Sequence, residues 1–89
     1  MACYLVAYNS AVENARFSIS NDIKAYGVWA KIGDSAYIIS TDAEVTEVYD
    51  NLSKNLDADD NFYVISVSKP CWGQGPGAVN QWLSDNLPN

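Results

Sequence analysis

The chain contains no histidine and only two cysteines among its 89 residues. Without histidine, the Ser-His-Asp and Cys-His arrangements of nucleophilic enzymes and most zinc sites are excluded. Cys3 and Cys71 are far apart and form no C-x-x-C pair, which favours reduced structural thiols over a disulfide or a metal site. Acid-base chemistry would need carboxylates, but Glu13, Asp22 and Asp34 are better explained as cap or surface charges. We therefore expect neither catalytic residues nor a cofactor.

Positive charge is also scarce, with five Lys and Arg residues against eleven acids and a net charge of −6. Phosphate binding requires clustered bases, whereas these five are scattered, so we expect no strong nucleic-acid binding by the protein alone. The acids concentrate between residues 42 and 60. We interpret this stretch as a solvated helix face and loop, and the alternative is a phosphate-mimicking surface for a basic partner. Its members are Asp42, Glu44, Glu47, Asp50, Asp57, Asp59 and Asp60.

The sequence lacks an apolar run of about 18 residues, a basic leader and a lipidation signal, which predicts a cytoplasmic protein without membrane contact. With 48% hydrophobic residues, a chain of this length can bury one core without disulfides. We expect one domain over residues 1–89, with a core over 1–68 and a tail over 69–89.

Hydrophobic periodicity predicts four strands and two amphipathic helices before the tail. The motifs Ser10-x-x-Glu13 and Thr41-x-x-Glu44 are typical capping boxes and predict the two helix starts. Gly27 is the expected end of the first helix. The strands are expected at residues 3–8, 28–32, 36–40 and 62–68, the last with Tyr63, Ile65 and Val67 on one face.

The resulting order, β-α-β-β-α-β, predicts an α+β fold of the ferredoxin-like type. Two helices, each with one apolar stripe, would cover one face of a four-stranded antiparallel sheet. The opposite face would remain open and expose side chains such as Trp29 and Tyr37. Because a sizeable apolar patch marks an interaction surface, we expect a homodimer that covers it.

The tail contains a Pro/Gly-rich segment and a predicted short helix at about residues 77–87, which we expect to pack on its own subunit or across the dimer. Trp72 and Trp82 favour a small local core over a ligand cage. Cys71 is expected to be a packed thiol rather than a nucleophile, because no histidine or cluster of bases adjoins it. Together with Trp29 and Tyr37, these two tryptophans are the candidate interface residues.

Several segments carry a family resemblance through their order and spacing. They are Tyr4-Leu-Val-Ala-Tyr8, Ile23-Lys-Ala-Tyr26-Gly27, Val28-Trp29 with Asp34-Ser35-Ala-Tyr-Ile-Ile39, Asp59-Asp60-Asn-Phe-Tyr-Val-Ile65, Trp72-Gly73 and Trp82-Leu83 with Leu87. Over nearly its whole length the chain resembles the Cas-two family of CRISPR-associated proteins, and more closely its SinR relatives. The resemblance implies a ferredoxin-like homodimer and a role in phage defence or counter-defence.

In the nuclease members of that family, an Asp at the end of the first strand of each subunit helps to hold a divalent metal. The matching position here is Asn9, whose amide offers one weak oxygen where Mg²⁺ prefers a carboxylate. The resemblance therefore implies a degenerate metal position and a non-catalytic interaction module. A metal-dependent nuclease that uses other carboxylates and an acidic nucleic-acid-mimicking inhibitor are the alternatives.

Overall fold

A computed structural model describes residues 1–54 and 56–89. The sheet is antiparallel throughout and its strands lie in the order β2-β3-β1-β4. This confirms the predicted α+β ferredoxin-like architecture with a short C-terminal helix. The elements are β1 (Ala2–Asn9), α1 (Glu13–Lys24), β2 (Trp29–Gly33), β3 (Ala36–Thr41), α2 (Val45–Leu52), β4 (Asn61–Val67) and α3 (Gly77–Asn86).

The main core lies between the sheet and the helices α1 and α2, and we call this side of the sheet the helix face. Alternate residues of β1 and β3 point into it, because successive side chains of a strand lie on opposite faces. The helices contribute one buried stripe each, as their periodicity predicts. The buried members are Tyr4, Val6, Tyr8, Ile19, Ile23, Tyr37, Ile39, Val48 and Leu52.

The expectation that Trp29 and Tyr37 lie on the uncovered sheet face is wrong. Tyr37 is only 2% exposed and belongs to the helix-face core, against which Trp29 packs. The two rings contact each other edge to face, with centroids 5.9 Å apart. Register explains the error, because Trp29 pairs with Ile39, which puts it on the same face as the most buried residue of β3. The exposure argument for their role in an interface therefore does not hold.

The opposite side of the sheet, which we call the tail face, is partly covered by α3 of the same subunit. Cys3, Ile38 and Leu87 form a small buried cluster there, and Trp82 and Leu83 pack against it. The Cys3 thiol donates a hydrogen bond to the Asn86 carbonyl at 3.2 Å. The predicted tail helix is thus confirmed, and the tail packs on its own chain.

Neither capping box forms. The Ser10 and Thr41 hydroxyls accept hydrogen bonds from the backbone N–H two residues later, at Val12 and Ala43. Such local turns compete with helix initiation, so α1 begins only at Glu13 and α2 only at Val45. The end of the first helical region follows the prediction, because Gly27 adopts a positive φ of 85°.

In the part of the chain that the structure describes, no helix is both long enough and apolar enough to cross a membrane. The longest described helix, α1, has 12 residues, and its sequence mixes charged, polar and apolar side chains. The apolar stripe of each helix is directed at the sheet instead.

Candidate functional site

The two edges of the sheet differ in how they are protected. β2 is short, carries Lys31, and its register with β3 is interrupted between Lys31 and Gly33. Lysines and bulges of this kind discourage pairing with another strand. β4 has seven residues, none of them charged or proline, and pairs with β1 in an unbroken register. β4 is therefore the edge that is open to a further strand.

Apolar side chains accompany the open edge of β4 on the tail face. Tyr63 is 62% exposed and Ile65 is 48% exposed, because α3 does not extend over this part of the sheet. We call Tyr63, Ile65 and the outer backbone of β4 the β4 strip. The sequence predicted that these two residues share a face with Val67, but not that α3 would leave them uncovered.

A second surface lies between α3, the segment before it and the end of β2. This tail groove has a volume of about 620 Å³. Its apolar walls come from Ile32, Val79 and Leu83, and Trp72 stands beside them with its side chain 100% exposed. Trp82 instead packs on the tail-face cluster, so the predicted local core of Trp72 and Trp82 is wrong.

The tail groove is the basic part of an acidic protein. Lys31 and Lys69 line it, and none of its described lining residues is acidic. The Lys69 side chain donates to the Ser84 carbonyl at 2.9 Å, and its backbone N–H donates to the Pro88 carbonyl at 2.6 Å, which ties the segment to α3. Cys71 also lines the groove and is exposed, so the expectation of a packed thiol is wrong, whereas Cys3 is buried as expected.

Asn9 lies at the end of β1, where it is exposed and pairs with Asn61 of β4. Both side chains in this pair are neutral amides. Within residues 1–54 and 56–89, no three Cys, Asp or Glu side chains come together in a group that could hold a metal ion. The position that the family resemblance identifies therefore offers amide oxygens only.

A polar network lies at the boundary between α1 and the sheet. The Tyr8 and Tyr37 rings stack 6.5 Å apart, and the Tyr37 and Ser20 hydroxyls are 2.9 Å apart. Arg16 donates a hydrogen bond to the Ser10 carbonyl at 2.6 Å. Burial, followed by the nearby Tyr37, raises the pKa of Tyr8 to about 12, although the Arg16 guanidinium opposes the shift. The Tyr8 phenol is thus held in its neutral form, which favours a structural role.

The acidic stretch lies along α2 and the loop that precedes β4. Six of its seven acids are exposed, and Asp60 is half-buried. Asp60 accepts a hydrogen bond from the backbone N–H of Asp57 at 3.0 Å. This distribution is the one expected of a solvated face.

Sequence reasoning did not predict the tail groove or the β4 strip as surfaces, although it named Trp72 as a candidate interface residue. The signal for the groove was present in the sequence, because Trp72 lies in a Pro/Gly-rich segment outside every apolar periodicity. No protein-family model and no curated protein matches this chain in a comparison of sequences.

Proposed function

We propose that this protein is a small, non-catalytic interaction module that acts as a homodimer formed through the β4 strip. The observation that carries the proposal is the unprotected β4 edge flanked by exposed Tyr63 and Ile65. Natural proteins cover or charge such edges, because a free row of backbone donors and acceptors pairs with other strands. The β4 edge of a second copy of the chain supplies a matching row of backbone donors and acceptors.

The register of a symmetric pair follows from the strand. A two-fold axis beside Val64, the middle residue of β4, places Tyr63 of one copy opposite Ile65 of the other. Cross-strand pairs of an aromatic and a β-branched residue stabilise antiparallel strands by roughly 0.2–1 kcal/mol each. The two four-stranded sheets would then form one continuous sheet with an isologous interface.

Two observations support the non-catalytic part of the proposal. The amide of Asn9 is a poor ligand for Mg²⁺, and its neighbour Asn61 adds no carboxylate. The resemblance to the Cas-two family and its SinR relatives adds a cytoplasmic role in phage defence or counter-defence. In such a role the dimer would recognise a protein rather than cleave a nucleic acid.

Light scattering on matched charge variants of the two edges tests the dimer. We expect the wild-type chain of 9.8 kDa to scatter as twice that mass at micromolar concentration. Ile65→Lys should return it to the monomer mass, because each buried ammonium group would lie opposite Tyr63 of the other copy without a charged partner. Ile32→Lys is the control, since Ile32 is 44% exposed on the other edge strand.

A wild-type monomer over the micromolar range would contradict the dimer, as would equal dissociation by both lysine substitutions. A separate assay with Mg²⁺ or Mn²⁺ and duplex substrates tests the non-catalytic part. Metal-dependent cleavage by the wild-type protein would contradict that part even if the dimer forms.

A further inference from the structure

We propose that the tail groove binds a short acidic segment of a partner protein, with a bulky apolar side chain next to its carboxylates. The inference rests on the proposed function, because a module that joins two copies still needs a surface for a different partner. The tail groove lies at the β2 side of the tail face, whereas the β4 strip lies at the opposite edge.

Trp72 and the groove walls offer an apolar surface to a partner. A fully exposed tryptophan leaves a large apolar surface in water, which folding alone does not explain. The segment that carries it is anchored on both sides, because Lys69 is bonded twice to the α3 region and the Gly75 carbonyl accepts a hydrogen bond from Asn80 at 3.2 Å. Ile32, Val79 and Leu83 provide apolar contacts in the same groove. An apolar side chain of a partner would be held between these walls and the indole ring.

The five bases of the chain differ in what surrounds them. Three of them are engaged elsewhere: Arg16 bonds a backbone carbonyl, Lys24 lies 5.4 Å from the centre of an indole ring, and Lys54 forms an ion pair. Lys31 and Lys69 are the two that line the groove. Lys31 pairs with Tyr37, which directs its side chain to the helix-face side of the edge strand, so its ammonium meets a bound carboxylate at the rim of the groove rather than inside it. In the described chain Lys31 has no hydrogen bond or ion pair that would compete for this contact.

Charge favours a short peptide over a nucleic acid as the occupant. Two lysines can neutralise one or two carboxylates, but a bound oligonucleotide would extend its phosphates beyond them. Those phosphates would meet a protein of net charge −6 within a Debye length of about 8–10 Å. A peptide with few charges and one apolar anchor avoids this repulsion.

The test selects short random peptides, displayed on phage, on the immobilised full-length protein after depletion on Trp72→Ala. Recovered sequences should combine Asp or Glu with a neighbouring Trp, Phe or Leu. A labelled synthetic peptide of the recovered sequence, and a second with its acids replaced by amides, are then titrated by fluorescence anisotropy. Because Trp72 and Lys31 are exposed, their substitution leaves the folded core in place.

We expect Trp72→Ala to weaken binding of the acidic peptide roughly 30-fold, as loss of an interface hot spot does. Lys31→Gln should weaken it about 2- to 5-fold, the effect of one exposed ion pair. Lys54→Gln removes the same charge outside the groove and should leave binding unchanged. The amide peptide should bind more weakly than the acidic one.

Recovered peptides without acids, or binding that Trp72→Ala does not weaken, would overturn the proposal. Tighter binding of single-stranded oligonucleotides than of the peptide would overturn it in favour of a nucleic acid. Halving of the wild-type mass by Trp72→Ala would overturn it in favour of a second copy. Failure of the dimer appears separately, as a wild-type monomer in light scattering that still binds the acidic peptide.

Discussion

The two faces of the sheet are covered to very different extents by the same chain. Among the residues that the structure describes, nine buried ones form the helix-face core, whereas three form the cluster under α3 on the tail face. The helix face is covered by α1 and α2, whose buried residues pack against those of β1 and β3. The tail face is closed by one late helix that leaves the β4 strip and the tail groove outside it. The larger buried core therefore lies on one face, and the two exposed surfaces that we propose for binding lie on the other.

Two adjacent residues of β3, one on each face, test whether the two faces differ in their contribution to stability. Ile39 is completely buried in the helix-face core, and Ile38 is buried beneath α3. Truncation of a buried isoleucine to alanine costs about 2–5 kcal/mol, with the largest cost where the surroundings cannot relax. We expect Ile39→Ala to lower the unfolding free energy by about 4 kcal/mol and Ile38→Ala by about 2 kcal/mol.

Urea denaturation monitored by tryptophan fluorescence would measure both losses. The two variants control for each other, because the same atoms are removed from neighbouring positions of one strand. Equal losses would show that the tail face contributes as much to stability as the helix face. The contrast between the faces would then be one of exposure alone.

Detachment of α3 should have the next largest effect. Leu87 is buried at the end of this helix against Cys3 and Ile38. Leu87→Asp places a charge there, and we expect it to lower the unfolding free energy by roughly 2–3 kcal/mol, since a buried unpaired carboxylate is unfavourable. Ser84→Asp adds the same charge at an exposed position of α3 and is the matched control.

Hydrogen exchange of the α3 amides distinguishes local detachment from global unfolding. In Leu87→Asp we expect faster exchange in α3 while the amides of β1 and β3 remain protected. Uniform acceleration across the sheet would mean that α3 is an integral part of the main core.

The fold could be predicted from the sequence because each helix has one apolar stripe and each strand is bounded by turn residues. The assignment of Trp29 and Tyr37 to a face could not, because it depends on strand register. A shift of one residue exchanges the two faces, and the irregularity between Lys31 and Gly33 hides the register of β2. The predicted capping boxes do not form, because the hydroxyls of Ser10 and Thr41 close shorter turns instead. The exposure of the β4 strip and the shape of the tail groove depend on where α3 lies, which no local pattern determines.

The smallest expected effect concerns the pH dependence of the helix face. The pKa of Tyr8 is raised to about 12 from its ordinary value of 10.0, mainly because the phenol is buried. With the folded pKa above the unfolded one, the stabilisation is fully present below pH 10 and is lost as the pH rises towards 12. The unfolded chain releases its proton first, so the unfolding free energy should fall by at most about 1.4 kcal/mol per pH unit in this window. Tyr8→Phe should reduce that slope, because it removes the buried phenol. Urea denaturation at a series of pH values from neutral to above 10 measures the slopes, and an identical slope in Tyr8→Phe and the wild type would show that the phenol of Tyr8 ionises as freely in the folded protein as in the unfolded chain.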